Sequence, residues 1–339
     1  MKSELLSFLI CPQSKEPLEV EETTAQYGDD GEIEQGWLIV KEQGSRYPIT
    51  NSIPRFVSQS NYADNFGMQW NHFAKTQLDS HSGHPISEER FWAATGWKPE
   101  ELKGQWMLDV GCGSGRFAEI ALNAGAKVVA LDYSSAVDAC LDNMKHHPNL
   151  HVIQGDVYSL PLKRGSFPFV YSLGVLQHTP NVRKAFSALP AMVESGGRLC
   201  ADFYWNRLRT LLNPKYLLRP ITKKMDQQRL FALLERRVPG LLRTSQAIGR
   251  IPVMGRYLKR VVPVVDYTEI YPLSPQQLEE WALLDTFDML APAYDRPLSV
   301  ATVTDWFGKN GFQDIEVFHH GHLVGRGRKQ ETGEHESWH

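Results

Sequence analysis

Met107-Leu108-Asp109-Val110-Gly111-Cys112-Gly113-Ser114-Gly115, followed by Phe117-Ala118-Glu119-Ile120-Ala121-Leu122, is the stretch that decides the fold. An apolar run of strand length ends in three glycines spaced two apart, and a helical pattern begins directly after them. Glycines there let the backbone turn sharply and approach a ligand where a Cβ would clash. Strand, glycine turn and helix together read as a nucleotide-binding element. Taken alone they fit several dinucleotides, so the flanking segments have to choose among them.

Downstream of the turn, strands and helices alternate. Strands are expected at 106–110, 127–132, about 150–154, 167–173 and 198–204, with helices from 115, from 135 and near 181–193. Such alternation implies parallel strands joined by right-handed crossovers. Val128-Val129-Ala130-Leu131-Asp132 closes the second strand on an acid, and a carboxylate there can accept both hydroxyls of a ribose. The third strand ends in His151-Val152-Ile153-Gln154-Gly155-Asp156-Val157, the fourth runs from Phe169 through Leu173 to Gln177-His178, and Glu194-Ser195-Gly196-Gly197-Arg198-Leu199 forms the loop into the fifth. Pro168 brings no N–H to a ladder and is expected to delay the fourth strand by a residue. Residues 299–310 read as a last helix, and 314–318 with 322–325 as a closing hairpin.

In this order the motifs resemble those of class I S-adenosylmethionine-dependent methyltransferases. The resemblance implies an α/β fold with a Rossmann-like seven-stranded sheet whose last strand is antiparallel, and S-adenosyl-L-methionine as cofactor. It places the methionine moiety against Asp109, Gly111, Cys112, Gly113 and Gly115, the ribose at Asp132 with Tyr133 beside it, and the adenine at Asp156 and Val157, with Leu173 on the next strand. In this family the segment before the first strand often folds over the cofactor. Residues 62–97 are both aromatic and polar, so Tyr62, Gln69 and Trp70 are lid candidates, Gln69 towards the cofactor and Trp70 towards the substrate.

Residues 1–57 read as a small β-rich module of short apolar runs separated by turn residues. Leu5-Leu6-Ser7-Phe8-Leu9-Ile10-Cys11-Pro12 and Tyr47-Pro48-Ile49 through Ile53-Pro54 resemble the Trm112-like zinc-ribbon family. The metal-holding members of that family use paired cysteines, whereas Ser14 stands at the second position here. One thiol cannot build a tetrahedral zinc site, so no metal is expected. The chain is then divided at 58–104 (lid and linker helices), 105–204 (cofactor domain), 205–298 (helical insertion that binds the acceptor), 299–328 (end of the cofactor domain) and 329–339 (a polar tail expected to be disordered).

With 339 residues, 42% hydrophobic and 22% charged, the chain can bury one large domain and a smaller one. No cleavable leader pattern and no run long enough to span a bilayer are visible, which makes the cytoplasm the default address. Four scattered cysteines, Cys11, Cys112, Cys140 and Cys200, suit a reducing compartment better than a disulfide scaffold. A net charge of −3 hides one local excess. Between Arg207 and Arg260, fourteen Lys and Arg face two acids, Asp226 and Glu235. Interleaved leucines fit helices with an apolar inner face and a basic outer one. The same excess suits a phosphorylated acceptor or a peripheral contact with an anionic membrane.

Methyl transfer needs a base only when the acceptor loses a proton as it attacks, as a hydroxyl does. His178 ends the fourth strand where open α/β sheets hold their ligands, and is the candidate base. No Asn-Pro-Pro-aromatic signature of nucleic-acid amino methyltransferases is present. A small or carrier-linked metabolite methylated at oxygen is therefore expected, with nucleic acid disfavoured. An RNA methyltransferase using the basic insertion, and a degenerate binding or scaffold protein, are the alternatives. Asp285, Asp288, Tyr294 and Asp295 lie among aromatics and fit either an acceptor pocket or helix caps; Tyr294 and Asp295 are the substrate candidates. His319, His320 and His322 read as a surface turn rather than a metal site.

Overall fold

Short strands with turn residues between them build the first sheet: β1 (Glu19–Val20), β2 (Gln26–Tyr27), β3 (Ile33–Ile39), β4 (Arg46–Thr50) and β5 (Ile53–Pro54), all paired antiparallel around β3 and β4. The computed structural model describes residues 1–41, 44–57, 69, 72–145, 147–206 and 215–331. This sheet shares its core with the next one. Leu5, Leu9, Leu38 and Ile49 join Leu108, Val129, Ile153 and Phe167 in one apolar cluster. Phe8 stacks on Phe167 with ring centroids 5.3 Å apart. Polar ties follow the same seam: Lys2 Nζ donates to the carbonyls of His147 and Leu150, and Arg55 pairs with Asp138 at 2.6 Å. At the position that resembles a zinc ribbon, Cys11 Sγ lies 3.2 Å from Tyr47 Oη and accepts the N–H of Ser14. Burial resists ionisation of this thiol, but the hydrogen bonds from Ser14 and Tyr47 outweigh it and bring the group down to about 7.

The second sheet has seven strands, β6 (Trp106–Val110), β7 (Lys127–Asp132), β8 (Leu150–Gln154), β9 (Phe167–Ser172), β10 (Val193–Phe203), β11 (Phe312–His320) and β12 (His322–Lys329), in the order β11-β12-β10-β9-β6-β7-β8. β6 to β10 run parallel, and β12 lies antiparallel between β10 and β11. The Rossmann-like methyltransferase sheet expected from the motifs is thus present. The helices that position the site are α1 (Ile86–Thr95), α2 (Arg116–Asn123), α3 (Ala136–Asn143), α4 (Val182–Ala188), α5 (Lys215–Thr222), α6 (Gln227–Gly249), α7 (Pro275–Leu290) and α8 (Val300–Lys309). Chain order reverses between β6 and β9, which opens a crevice at their carboxyl ends, where such sheets bind ligands.

The closing hairpin is longer than expected, at 312–320 and 322–329, so Lys329 ends a strand rather than opening a tail; two other boundaries differ because of proline. Pro168 does not delay β9, which starts at Phe167; the strand opposite yields instead. Val193 pairs with Phe167 and Arg198 with Phe169, so β10 bulges across from the proline that has no N–H to offer. Gly196 and Gly197 therefore sit inside β10, and a Cβ on Gly197 would lie 2.9 Å from the Pro168 carbonyl. α4 stops at Ala188 because Pro190 cannot continue the helical ladder.

The insertion forms α5, α6 and α7 around an apolar cluster of its own. α6 follows the expected pattern: Leu230, Leu234, Val238 and Leu242 are buried at four-residue spacing, while Arg229, Arg236, Arg237 and Arg243 are exposed. α5 reverses it. Lys215 and Arg219 are buried, and Leu217 and Ile221 are 81% and 67% exposed. Among the described residues no helix is long and apolar enough to cross a membrane. The lid candidates Tyr62 and Trp70, Arg207 and Arg209, and the tail from 332 onward lie outside the described residues.

Candidate active site

β6 delivers its chain to a turn that only glycine fits. Gly111 has φ of +88°, and a Cβ there would lie 2.5 Å from the Val175 side chain. Gly111, Cys112 and Gly113 line one wall of a cavity of about 600 Å³, with the N–H groups of Gly111 and Cys112 donating to the Leu131 carbonyl. Gly115 serves another purpose. With φ of +95°, its Cβ would meet Met144 Cε at 2.1 Å, so this glycine lets α2 pack beside the end of α3, and it does not line the cavity.

Asp132 at the end of β7 holds the turn in shape. Its Oδ2 accepts the Gly113 N–H at 3.0 Å, while Oδ1 accepts the Ser134 N–H and hydroxyl at 2.8 and 2.7 Å. Burial raises its pKa against the pull of those donors. Tyr133, Gly155, Val157 and Leu173 continue the wall. Gln69 is 2% exposed and brings an unpartnered Nε2 to the same cavity. Two expected cofactor acids stand elsewhere. Asp109 is buried beneath the turn facing Tyr171, where burial pushes its carboxyl up to about 8. Asp156 spends its side chain capping the next turn, accepting the Tyr158 N–H at 2.8 Å. Neither lines the cavity.

The other half of the cavity is built by α1, the turn after β9, α5, α7 and the β11–β12 hairpin. His178 is 7% exposed. Its Nδ1 lies 3.2 Å from the Tyr294 carbonyl, which can only accept, so Nδ1 is the donor in this contact. Nε2 lies 3.3 Å from the Tyr204 hydroxyl and 3.8 Å from Asp288. Burial keeps Tyr204 protonated, its pKa well above the ordinary tyrosine value. Opposite stands Arg116, buried at the start of α2. It donates Nε to Ser87 Oγ at 2.8 Å and Nη1 to Gln77 Oε1 at 2.9 Å, with its guanidinium 5.4 Å from the Trp281 ring. Among the described residues no carboxylate lies within ion-pair distance of it. Burial and the neighbouring Arg90 charge lower its pKa to about 10, which leaves it charged. Arg90 itself is paired with Asp202 at 2.8 Å. Gln177 is 1% exposed, with both amide atoms unpartnered, and the Trp281 indole N–H is unpartnered too.

The substrate candidates fare differently. α7 turns Trp281, Asp285, Asp288 and Met289 into the cavity at helical spacing. Asp285 accepts Gln77 Nε2 at 3.1 Å and the Tyr267 hydroxyl, and burial raises it to about 6. Tyr294 contributes its carbonyl to His178, but its side chain is not part of the lining. Asp295 is consumed by Lys215 at 2.7 Å and Arg219 at 3.8 Å, which makes it a buried anchor for α5 rather than an acceptor contact. His319 and His320 are exposed at the hairpin turn, as expected, but His320 and His322 also line the cavity; burial lowers His322 to about 4 and keeps it neutral. Arg116, Gln77 and Tyr267 were not singled out by the sequence, where an arginine at a helix start carries no sign of burial.

The known family of methyltransferase domains matches residues 108–201, which run from the glycine turn to β10. Residues 108–201 are a methyltransferase domain. The cofactor of this domain is S-adenosylmethionine. Over 103 residues the chain is 29% identical to a ubiquinone biosynthesis O-methyltransferase of Coxiella burnetii, covering 29% of this chain and 43% of that protein. Over 107 residues it is 35% identical to a tRNA U34 carboxymethyltransferase of Pseudoalteromonas translucida, covering 30% and 33%. The matches thus span less than half the length of either relative. Among solved structures, an S-adenosylmethionine-dependent methyltransferase from Mesorhizobium loti is similar at 17% identity with a TM-score of 0.41, covering 71% of this chain and 96% of that one. Around the cavity, the unpartnered Gln69 amide, the glycine turn at Gly111 to Gly113 and the carboxylate of Asp132 fit a ligand with a polar amino-acid end and a ribose.

Proposed function

We propose that the chain methylates a hydroxyl oxygen of a small or carrier-linked acceptor that bears an anionic group such as a carboxylate or phosphate, with His178 as the base. The observation that carries this reading is the place of His178 on the wall of the cavity that the glycine turn also lines, with Nδ1 3.2 Å from the Tyr294 carbonyl. S-adenosylmethionine supplies the methyl group already activated as a sulfonium. The chain's part is to align, desolvate and move one proton. Gly111, Gly113 and Asp132 would hold the cofactor's methionine and ribose ends. Arg116 would take the anionic group of the acceptor, and Trp281 and Tyr267 would flank its body. The proton of the acceptor hydroxyl would pass to His178 Nε2 as the cofactor gives up its methyl group and leaves as the neutral thioether, and the Tyr294 carbonyl and nearby Asp288 would stabilise the resulting imidazolium.

The test is His178→Asn. We expect turnover to fall by about 10²- to 10⁴-fold, the usual worth of a positioned base, with S-adenosylmethionine affinity by calorimetry unchanged. Turnover within twofold of wild type would refute the role.

A further inference from the structure

We propose that the outward face of α5 and the turn spanning residues 250–261 dock on an anionic lipid bilayer. α5 is amphipathic the wrong way round for a helix bathed in water. Its cations face inward: Lys215 pairs with Asp295, and Arg219 donates to the carbonyls of Met289 and Pro292 at 3.0 and 2.8 Å. Its apolar residues Leu217 and Ile221, one turn apart on a single face, are 81% and 67% exposed. The 250–261 turn repeats the theme. Val253, Met254, Tyr257 and Val261 are 78%, 53%, 49% and 70% exposed, between the exposed Arg250, Arg256 and Arg260, and no acid lies in this stretch.

The turn is built rather than frayed. Gly255 is buried, and a Cβ on it would lie 2.5 Å from the Ile248 carbonyl, so the turn folds tightly back onto the end of α6. Val253 is held at φ of +63°, a strained conformation for a β-branched residue, and that strain presents its side chain to solvent. Aliphatic side chains interleaved with arginine match the two layers of an anionic membrane surface, where chains enter the acyl boundary and cations meet headgroups. RNA would ask for aromatic stacking platforms, and tyrosine is the sole aromatic among these exposed side chains. The docking is independent of methyl transfer. Its consequence, an acceptor carried in the bilayer and reaching the cavity alongside Lys215 of α5, rests on the reading above.

The experiment is co-sedimentation of the full chain with vesicles of phosphatidylcholine alone and of phosphatidylcholine with phosphatidylglycerol. We expect binding to the anionic vesicles that weakens with salt, and little to the neutral ones. Leu217→Gln with Ile221→Gln should weaken that binding about tenfold, in line with the apolar burial lost, while S-adenosylmethionine affinity stays at the wild-type value. Arg256→Gln with Arg260→Gln should reduce the salt dependence. Wild-type chain left in the supernatant, a Leu217/Ile221 variant that binds like wild type, or tighter binding to an RNA oligomer than to the vesicles would each overturn the proposal. Vesicle binding by a chain that does not take up S-adenosylmethionine would sink the methyl-transfer reading and support the docking.

Discussion

Asp109 and Asp132 lie at the ends of neighbouring strands and do different work. Asp132 touches the backbone of the glycine turn and lines the cavity; Asp109 is sealed under it with its carboxyl pushed up to about 8 by burial. A carboxyl that is largely protonated when folded and ionised when unfolded costs stability at neutral pH, and an amide of the same shape has no such cost. Asp109→Asn should therefore raise the melting temperature at pH 7.5 and change S-adenosylmethionine affinity by less than about threefold. Asp132→Asn should weaken affinity by about tenfold or more, since it loses a charged acceptor worth ~1.5 kcal/mol or more. Calorimetry on the two variants separates them, and equal losses would restore Asp109 as a cofactor contact. Both acids were legible as strand ends in the sequence. Which of them faces the ligand was not, because that depends on how the turn covers them.

At the scale of elements, the strand and helix succession was readable because buried parallel strands leave near-continuous apolar runs. The places where it was misread are those where one element answers to another: β10 bulges for the sake of Pro168 on β9, and His322 of the hairpin is covered by the elements packed around the cavity. Gly115 belongs to this group. It looks like part of the cofactor loop, but its missing Cβ makes room for Met144 beyond α3. Gly115→Ala should lower thermal stability, with at least ~1–2 kcal/mol from the left-handed φ alone, whereas the affinity of the folded fraction for S-adenosylmethionine should stay within about threefold. A thermal scan paired with calorimetry reads both, and an undiminished melting temperature would contradict the packing role. In α6 the pattern of leucines and arginines announced which face is buried. In α5 the same letters describe the opposite face, and only Asp295, eighty positions away, reveals it.

For the molecule as a whole, pH acts through groups that the fold keeps neutral. His151 and His322 are both held by burial at about 4, below the ordinary 6.5. As pH drops through about 6.5 the unfolded chain takes up protons that the folded one refuses until about 4, so each histidine withdraws up to about 3 kcal/mol of stability over that window. Asp109 and Asp285, raised by burial, pull the other way. The contribution of one histidine is isolated by His151→Leu, which should gain more stability relative to wild type at pH 5 than at pH 7.5 in denaturant titrations; an equal gain at both would show that its titration is not linked to folding. Composition alone indicated enough apolar material for two domains, and it could not show that residues 1–57 and the large sheet would spend it on one shared interior.

That shared interior sets the order in which the chain can mature. Leu5, Leu9, Leu38 and Ile49 pack in one cluster with residues from Leu108 to Phe203 and beyond. Residues 1–57 are made before the residues that complete this core, so part of their apolar face stays uncovered until more than a hundred later residues have been added. A chaperone that shields this sheet during synthesis should raise the yield of native protein more than one added after synthesis.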